Sequence, residues 1–169
     1  GDNAKNAYIV QFVTQPVEEY REAIRQLGGE LHIYLPNHAY IVQMDEKTRQ
    51  QAASLPFVRW VGEYSPAFKI DETILPALLE QRLAKDRYNI MMLRRGGASQ
   101  RAFAERVSKI GADVGRMTPQ GFRVEAELTA EQLLTVLADP EVMFVDRWSP
   151  PENDMSVVRT VGGANMIET

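Results

Sequence analysis

The spacing of apolar residues changes several times along the chain, and the same series of changes occurs twice. Apolar runs at 8–13 and 88–93 have the composition of β-strands, and each precedes a helical stripe of apolar residues three and four apart. The stripes consist of Tyr20, Ile24 and Leu27, and of Phe103, Val107 and Ile110. Gly28 and Gly111 follow the stripes directly, as glycine does at left-handed helix caps. Each copy therefore begins with a strand and a helix.

Two further strands and a second helix follow in each copy. The strands cover 30–35 and 39–44, and then 113–117 and 121–128. In the strand at 121–128, apolar and polar residues alternate, which predicts one buried face and one solvent-exposed face. Helices are predicted over 45–55 and 129–138, and each stops at a proline. Thr129 and Gln132 have the spacing of a capping box, which supports the start of the latter helix.

The last strand of each copy carries a signature of the form aromatic-Val-x-x-aromatic-Ser-Pro. It spans 60–66 in the first copy and returns at 144–150, an offset of 84 residues. The resulting order of strand, helix, strand, strand, helix, strand is that of the split βαβ fold. We therefore predict an α+β protein of two tandem ferredoxin-like (βαββαβ) domains, each an antiparallel four-stranded sheet with two helices on one face.

These elements divide the chain into four predicted parts. Residues 1–70 and 87–150 are the two ferredoxin-like repeats, 71–86 is a helical linker, and 151–169 is an extended C-terminal arm. One helical face of the linker carries Leu75, Leu78, Leu79 and Leu83. The alternative for the linker is an extended connector, and the alternative for the arm is a disordered end. An extended arm of this kind adds to a sheet edge or enters a cleft.

Composition argues against several classes of partner. The formal net charge is -4 and the pI is about 5.3, which argues against a nucleic-acid surface. No apolar run approaches the length of a membrane span. The chain has no cysteine, so neither a disulfide framework nor a thiolate metal site is expected. We accordingly predict no cofactor, no metal, and neither a nucleic-acid nor a membrane partner.

Candidate catalytic groups are few. His32 lies in a predicted strand and His38 in the adjoining turn, and their spacing with Asp45 fits no standard zinc pattern. Gly96 and Gly97 lack the spacing of a phosphate-binding loop and are interpreted as a structural turn. Nothing in these patterns indicates an enzyme.

The aromatic residues Tyr64 and Trp148 are candidates for a base-stacking platform. Such platforms lie on the central strands of a basic sheet, whereas these two residues follow the last strand of each copy in an acidic chain. Packing in the core or at a sheet edge is therefore the interpretation we adopt.

On these residues the chain resembles the N-terminal propeptide region of a branch of subtilisin-like serine peptidases. The resemblance rests on the segment 40–42 (YIV) before a short helix, on the run at 58–69 (VRWVGEYSPAFK), and on the tail at 158–165 (VRTVGGAN). It spans essentially the whole chain. The run at 58–69 is distinctive, whereas many ferredoxin-like domains share the strand and helix pattern. Two copies depart from the single-domain form of the common propeptide.

The resemblance implies a folding chaperone and product-like inhibitor of a zymogen, not a catalyst. Its partner would be the catalytic domain of the peptidase, encoded downstream in the same chain and secreted or extracellular. In that family the propeptide sheet docks on two peptidase helices, and the C-terminal arm lies in the substrate cleft. The catalytic Asp, His and Ser motifs of the peptidase are absent from this sequence.

Site residues follow from the same resemblance. In the family a propeptide carboxylate caps the N-termini of the two peptidase helices from the turn between the second and third strands. Here the turns at 36–38 and 118–120 contain no acid, so Glu125, Glu127 and Asp146 are the predicted substitutes. The arm residues predicted to bind the peptidase subsites are Asn165, Met166, Ile167, Glu168 and Thr169. The second copy is expected to contact the peptidase, while the first buttresses it or shields another surface.

A regulatory module is the alternative function. Tandem ferredoxin-like pairs also serve as small-molecule sensors that bind effectors at the interface between the copies, and the glycine caps at Gly28 and Gly111 would border such a pocket.

Overall fold

The computed structural model describes residues 4–117 and 121–150. The described chain divides into two compact units, one ending at Ser65 and one beginning at Pro66. The first contains β1 (Asn6–Phe12), α1 (Glu18–Leu27), β2 (Glu30–Leu35), β3 (Ala39–Met44), α2 (Glu46–Ala53) and β4 (Val58–Glu63). The second contains a 3-10 turn (Pro66–Phe68), α3 (Leu75–Leu79), β5 (Asp86–Met92), α4 (Gly97–Lys109), β6 (Asp113–Met117), β7 (Arg123–Leu128), α5 (Ala130–Leu137) and β8 (Val142–Arg147).

Each unit has one four-stranded antiparallel sheet. The strand order is β2-β3-β1-β4 in the first sheet and β6-β7-β5-β8 in the second, so the first strand of each copy is central. Two helices accompany each sheet at the positions expected for a βαββαβ unit. The predicted fold class, α+β with two tandem ferredoxin-like domains, is confirmed.

The core of the first unit lies between its sheet and its helices. Alternation along β1 turns Tyr8, Val10 and Phe12 toward the helices, where all three are buried. The ring of Phe12 stacks on Tyr20 of α1 with 5.8 Å between centroids, and Tyr20 stacks on Phe57 at 4.3 Å. Three stacked rings therefore join the sheet, α1 and the loop before β4.

The core of the second unit repeats this arrangement with different side chains. Tyr88, Ile90 and Met92 of β5 are buried on the helix side, against Phe103 and Val107 of α4. The aromatic stack of the first unit is replaced here by mainly aliphatic packing. The two copies thus preserve the alternation of buried positions but not the residues that fill them.

Local signals in the sequence account for several helix ends. Gly28 ends α1 with a φ of 109°, a left-handed conformation that glycine adopts at little cost. Asp45 caps α2 by accepting a hydrogen bond from the Thr48 N–H at 2.8 Å. The predicted capping box of α5 is present, since Gln132 N–H donates to Thr129 Oγ1 at 3.2 Å and Thr129 N–H donates to Gln132 Oε1 at 2.9 Å.

The segment between the copies packs into the core of the second unit. Its helix, α3, has five residues, and Gln81 follows with a φ of 58°, which a helix does not accommodate. Ile70, Ile74 and Leu78 are buried in the same cluster as the core of the second sheet. Leu79, predicted to share the buried face of a longer helix, is instead 71% exposed.

Candidate functional site

The three predicted carboxylates lie on one side of the second sheet. We call this side the helix-free face, because α4 and α5 pack on the other. It consists of Arg87, Asn89 and Met91 of β5, Arg123, Glu125 and Glu127 of β7, and Phe144 and Asp146 of β8. Successive residues of a strand point to opposite faces of the sheet, so every second residue of each strand lies on this face. The strand pairing aligns the odd-numbered residues of β5 and β7 with the even-numbered residues of β8.

The strand register brings two of the carboxylates into one row. Asn89 pairs with Glu125 on one side and with Asp146 on the other, so the row crosses three strands. Glu127 pairs with Arg87 in the neighbouring row. Directly paired residues have Cβ atoms about 4.5–5.5 Å apart. The structure therefore brings together all three carboxylates predicted from the sequence.

Glu125 is the most engaged of the three. It is 8% exposed, and its carboxylate accepts a hydrogen bond from the Trp148 indole N–H. Arg87 Nη2 lies 3.9 Å from Glu125 Oε2, and its guanidinium carbon is 4.9 Å from the centre of a Trp148 ring. The cluster of these three side chains anchors Trp148 just after β8, so Trp148 packs at the sheet end as predicted.

Glu127 and Asp146 are the more accessible carboxylates. Glu127 Oε1 forms an ion pair with Lys85 Nζ at 3.4 Å, and the Glu127 side chain is 47% exposed. Asp146 Oδ1 accepts a hydrogen bond from the Arg147 N–H at 2.9 Å. Between them, Asn89 is 8% exposed and its Oδ1 has no hydrogen-bond partner in the described part of the chain.

The other sequence candidates lie apart from this face. His32 Nε2 contacts Gln43 Oε1 at 2.7 Å, while Asn37 and His38 form the β2–β3 turn with φ values of 65° and 64°. That turn geometry is the one typical of tight hairpins. Gly96 precedes α4 with a φ of 120°, as a structural turn requires.

Within residues 4–117 and 121–150, no group of three or more His, Asp or Glu residues is placed to hold a metal ion. Over the same residues, no helix is long and apolar enough to cross a membrane. The turn at 118–120 and the arm residues Asn165, Met166, Ile167, Glu168 and Thr169 lie outside the described residues.

One feature of the first unit was not predicted. A cavity of about 310 Å³ opens beside β4 and the start of α2, and we call it the β4 groove. It is lined by Tyr8, Glu46, Arg49, Val61, Gly62 and Glu63. Aligning the copies at their offset of 84 residues places Glu46 and Arg49 at the positions of Ala130 and Leu133. That change from apolar to charged residues is the signal in the sequence that marks the groove.

The charges of the β4 groove interact closely with one another. Arg49 Nε and Nη2 donate to the two oxygens of Glu46 at 2.8 and 2.6 Å. The Tyr8 hydroxyl reaches Glu46 Oε2 at 3.5 Å. These hydrogen bonds, first those from Arg49, lower the pKa of Glu46 to about 2. Burial raises the pKa of the Tyr8 hydroxyl, so at neutral pH the groove contains an ionised pair beside a neutral phenol.

Comparison with protein-family models gives a match to the first unit. The family model described as Domain of unknown function (DUF8729) matches residues 1–65, which is the extent of the first unit. No curated protein matches the chain. The match covers well under half of the chain, and its description names no activity.

Proposed function

We propose that this chain is the propeptide of a subtilisin-like serine peptidase, acting as an intramolecular folding chaperone and as a product-like inhibitor. The observation that carries the proposal is the placement of Glu125, Glu127 and Asp146 together on the helix-free face of the second sheet. The last strand of that sheet, β8, leads directly into the arm at 151–169. One unit thus carries both parts of the interaction that the resemblance implies.

Carboxylates on a sheet face suit the ends of partner helices. The N-terminus of a helix carries partial positive charge and unsatisfied N–H groups, which attract an anionic side chain. Glu127 and Asp146 are the residues we assign to this role. Glu125 is already bound to Trp148 and Arg87, so we assign it to holding the end of β8 in place.

The arm supplies the inhibitory part. In the proposed mechanism, Asn165, Met166, Ile167, Glu168 and Thr169 occupy the non-primed subsites of the peptidase and leave slowly because they resemble a product. The tether holds the arm at high effective concentration. A preformed sheet lowers the cost of ordering the peptidase helices during folding. The chain itself contributes no catalytic group, and its working compartment would be that of a secreted enzyme.

The proposal is tested by inhibition of a mature subtilisin-like peptidase with the full chain added in trans. The double variant Glu127→Gln with Asp146→Asn should weaken inhibition by about 3–30-fold, since each of the two helix-cap charges contributes roughly 0.3–1 kcal/mol. Glu105→Gln, an exposed carboxylate on α4, is the matched control and should leave inhibition unchanged. A chain ending at Pro150 should lose inhibition by more than about 100-fold, since avidity from a tethered contact has that scale.

Failure of the full chain to inhibit any subtilisin-like peptidase would remove the proposal. A screen of amino acids and metabolites by thermal shift then tests the sensor alternative. A ligand that binds the folded state at about 100 times its dissociation constant would add about 2.7 kcal/mol of stability.

A further inference from the structure

The outer edge of β8 is covered by a segment of its own unit. Val145 N–H donates to the Lys69 carbonyl at 2.6 Å, and Asp71 N–H donates to the Val145 carbonyl at 3.2 Å. Ile70 thereby pairs with Val145 as a parallel β-bridge, and both residues are fully buried. The backbone groups of Val145 at this sheet edge therefore have hydrogen-bond partners.

The equivalent edge of β4 has no such cover in the part of the chain that the structure describes. Val61 corresponds to Val145 at the offset of 84. Tyr64 N–H donates to Ala7 of β1, and Val61 lies three residues earlier, so its N–H and carbonyl point away from β1. Among the described residues, β4 pairs with β1 and with no other strand. We call the outer side of residues 59–63 the open β4 edge.

The open β4 edge carries one charge of each sign. Arg59 and Glu63 are exposed at its two ends, and strand alternation places Val61 between them on the same side of the sheet. Pairing with β1 is regular from the residue after Arg59 onward. Neither charged side chain forms an ion pair or a hydrogen bond with another described residue, whereas Glu46 and Arg49 of the β4 groove pair with each other.

The other side of the same edge presents an aromatic ring next to a residue without a side chain. Trp60 is 48% exposed, and the six-membered ring of its indole lies over Gly62, in the space that a Cβ there would take. A glycine on an edge strand leaves room for an aromatic ring from a neighbouring strand. Along the chain, the open β4 edge therefore has the order cation, aromatic ring, valine, glycine, anion.

We propose that the open β4 edge pairs with the same edge of a second copy of the chain, antiparallel and with Val61 opposite Val61. In this register Arg59 of each copy lies opposite Glu63 of the other, so two ion pairs form. Trp60 of each copy lies opposite Gly62 of the other. Cross-strand pairs of opposite charge and cross-strand aromatic contacts stabilise a sheet, so both sides of the edge favour this register.

The order of the charges selects a second copy and the antiparallel direction. Charged residues on an edge strand ordinarily prevent pairing with other chains. A parallel pairing in register would place Arg59 opposite Arg59 and Glu63 opposite Glu63, which is unfavourable. The antiparallel pairing instead places each charge opposite its counterion. The contact is isologous, and each copy has one open β4 edge, so this pairing closes at a dimer.

The dimer contact goes beyond the proposed function and uses none of the residues assigned to peptidase binding. The two proposals are therefore separable by experiment. A charge variant at the open β4 edge should change assembly and leave peptidase inhibition as it is.

Sedimentation velocity of the full chain over a range of concentrations tests the pairing. The native chain should form a dimer whose fraction rises with concentration. Arg59→Glu and Glu63→Arg should each weaken the dimer by at least about tenfold, because each places like charges opposite one another at two positions. Glu105→Arg, at an exposed carboxylate on α4, changes the net charge as Glu63→Arg does and should leave the dimer unchanged.

Mixing the two charge variants gives the sharpest test. The Arg59→Glu chain and the Glu63→Arg chain have opposite charges at both facing positions, so an equimolar mixture should form a heterodimer although each alone dimerises weakly. The double variant Arg59→Glu with Glu63→Arg restores the charge order in reverse and should dimerise like the native chain. A mixture that gains no dimer would overturn the proposal.

A covalent readout uses the absence of native cysteines. Val61→Cys should form a disulfide-linked dimer under mild oxidation, because directly opposed residues in a hydrogen-bonded antiparallel pair have Cα atoms about 5.5 Å apart, within disulfide range. Glu105→Cys is the exposed control and should stay unlinked.

Two results of the sedimentation experiment would also overturn the proposal. One is a native chain that is monomeric at every concentration, which would leave the open β4 edge to a strand of a different protein. The other is a dimer that persists unchanged in both single charge variants, which would place the contact on another surface. A chain that dimerises as expected but inhibits no peptidase would instead reject the proposed function alone.

Discussion

The edge strands β4 and β8 occupy the same position in the two copies but have different surroundings. β8 is covered by the segment that contains Ile70, and β4 borders a groove that contains Glu46 and Arg49. The helix side of both sheets retains the same alternation of buried residues. The comparison teaches that the two copies share the pattern of buried positions on the helix side of each sheet and differ in what borders the outer edge strand.

The largest expected effect concerns the covered edge. Ile74→Ala removes a fully buried side chain from the core of the second unit and should lower the free energy of unfolding by about 2–5 kcal/mol. Val61→Ala, at the open edge, is the matched variant and should cost clearly less, because Val61 is only partly buried. Urea unfolding of both variants measures the difference. Equal losses would show that the two edges are equally packed.

A buried lysine beside the covered edge makes the stability of the chain depend on pH. Lys69 is 3% exposed, its Nζ donates to the Asp139 carbonyl at 2.9 Å, and burial lowers its pKa to about 8 from 10.5. Between pH 8 and 10.5 the unfolded chain therefore binds more protons at Lys69 than the folded chain does. The free energy of unfolding rises with pH across this window, and the stability present above pH 10.5 is lost as the pH falls through about 8.

Lys69→Met should accordingly stabilise the chain at pH 7 by about 1–3 kcal/mol, after allowance for the lost hydrogen bond. The advantage over the native chain should shrink toward pH 10.5. Chemical unfolding of both proteins at pH 7, 9 and 10 is the measurement. A destabilised variant at pH 7, or a difference independent of pH, would contradict this account.

The smallest expected effects come from removing the N-terminal caps of α2 and α5, the helices that follow the third strand of each copy. Thr129→Ala removes the capping box of α5 and should cost about 1 kcal/mol at any pH between 3 and 8. Asp45→Ala removes the cap of α2, but its effect should depend on pH. The hydrogen bond from the Thr48 N–H lowers the pKa of Asp45, so its contribution is complete above 3.8 and is lost as pH falls through the folded value.

Thermal unfolding of these two variants at pH 7 and pH 3 separates the caps. The loss of stability caused by Thr129→Ala, relative to the native chain, should be the same at pH 3 as at pH 7. The loss caused by Asp45→Ala should be smaller at pH 3. An identical response to pH in both variants would show that the Asp45 carboxylate does not act as a charged cap.

Part of the candidate site could be predicted from the sequence. Strand alternation alone places Glu125 and Glu127 on the same side of β7, and it places Asp146 on the same side of the signature strand as Phe144. The row that Glu125 and Asp146 form with Asn89 depends on the pairing of three strands far apart in the chain. The hydrogen bond between Trp148 and Glu125 was likewise not predicted. The two residues are 23 positions apart, and a side-chain contact at that separation produces no periodic pattern in the sequence.

The sequence by itself determined the two βαββαβ copies, the alternation of buried positions and the capped starts of α2 and α5, because these depend on short-range spacing. Only the tertiary structure decided that Ile70 pairs with Val145 and that the space beside Val61 remains a charged groove. The physical reason is that addition of a strand to a sheet edge is made by backbone groups, which every residue except proline carries in the same form.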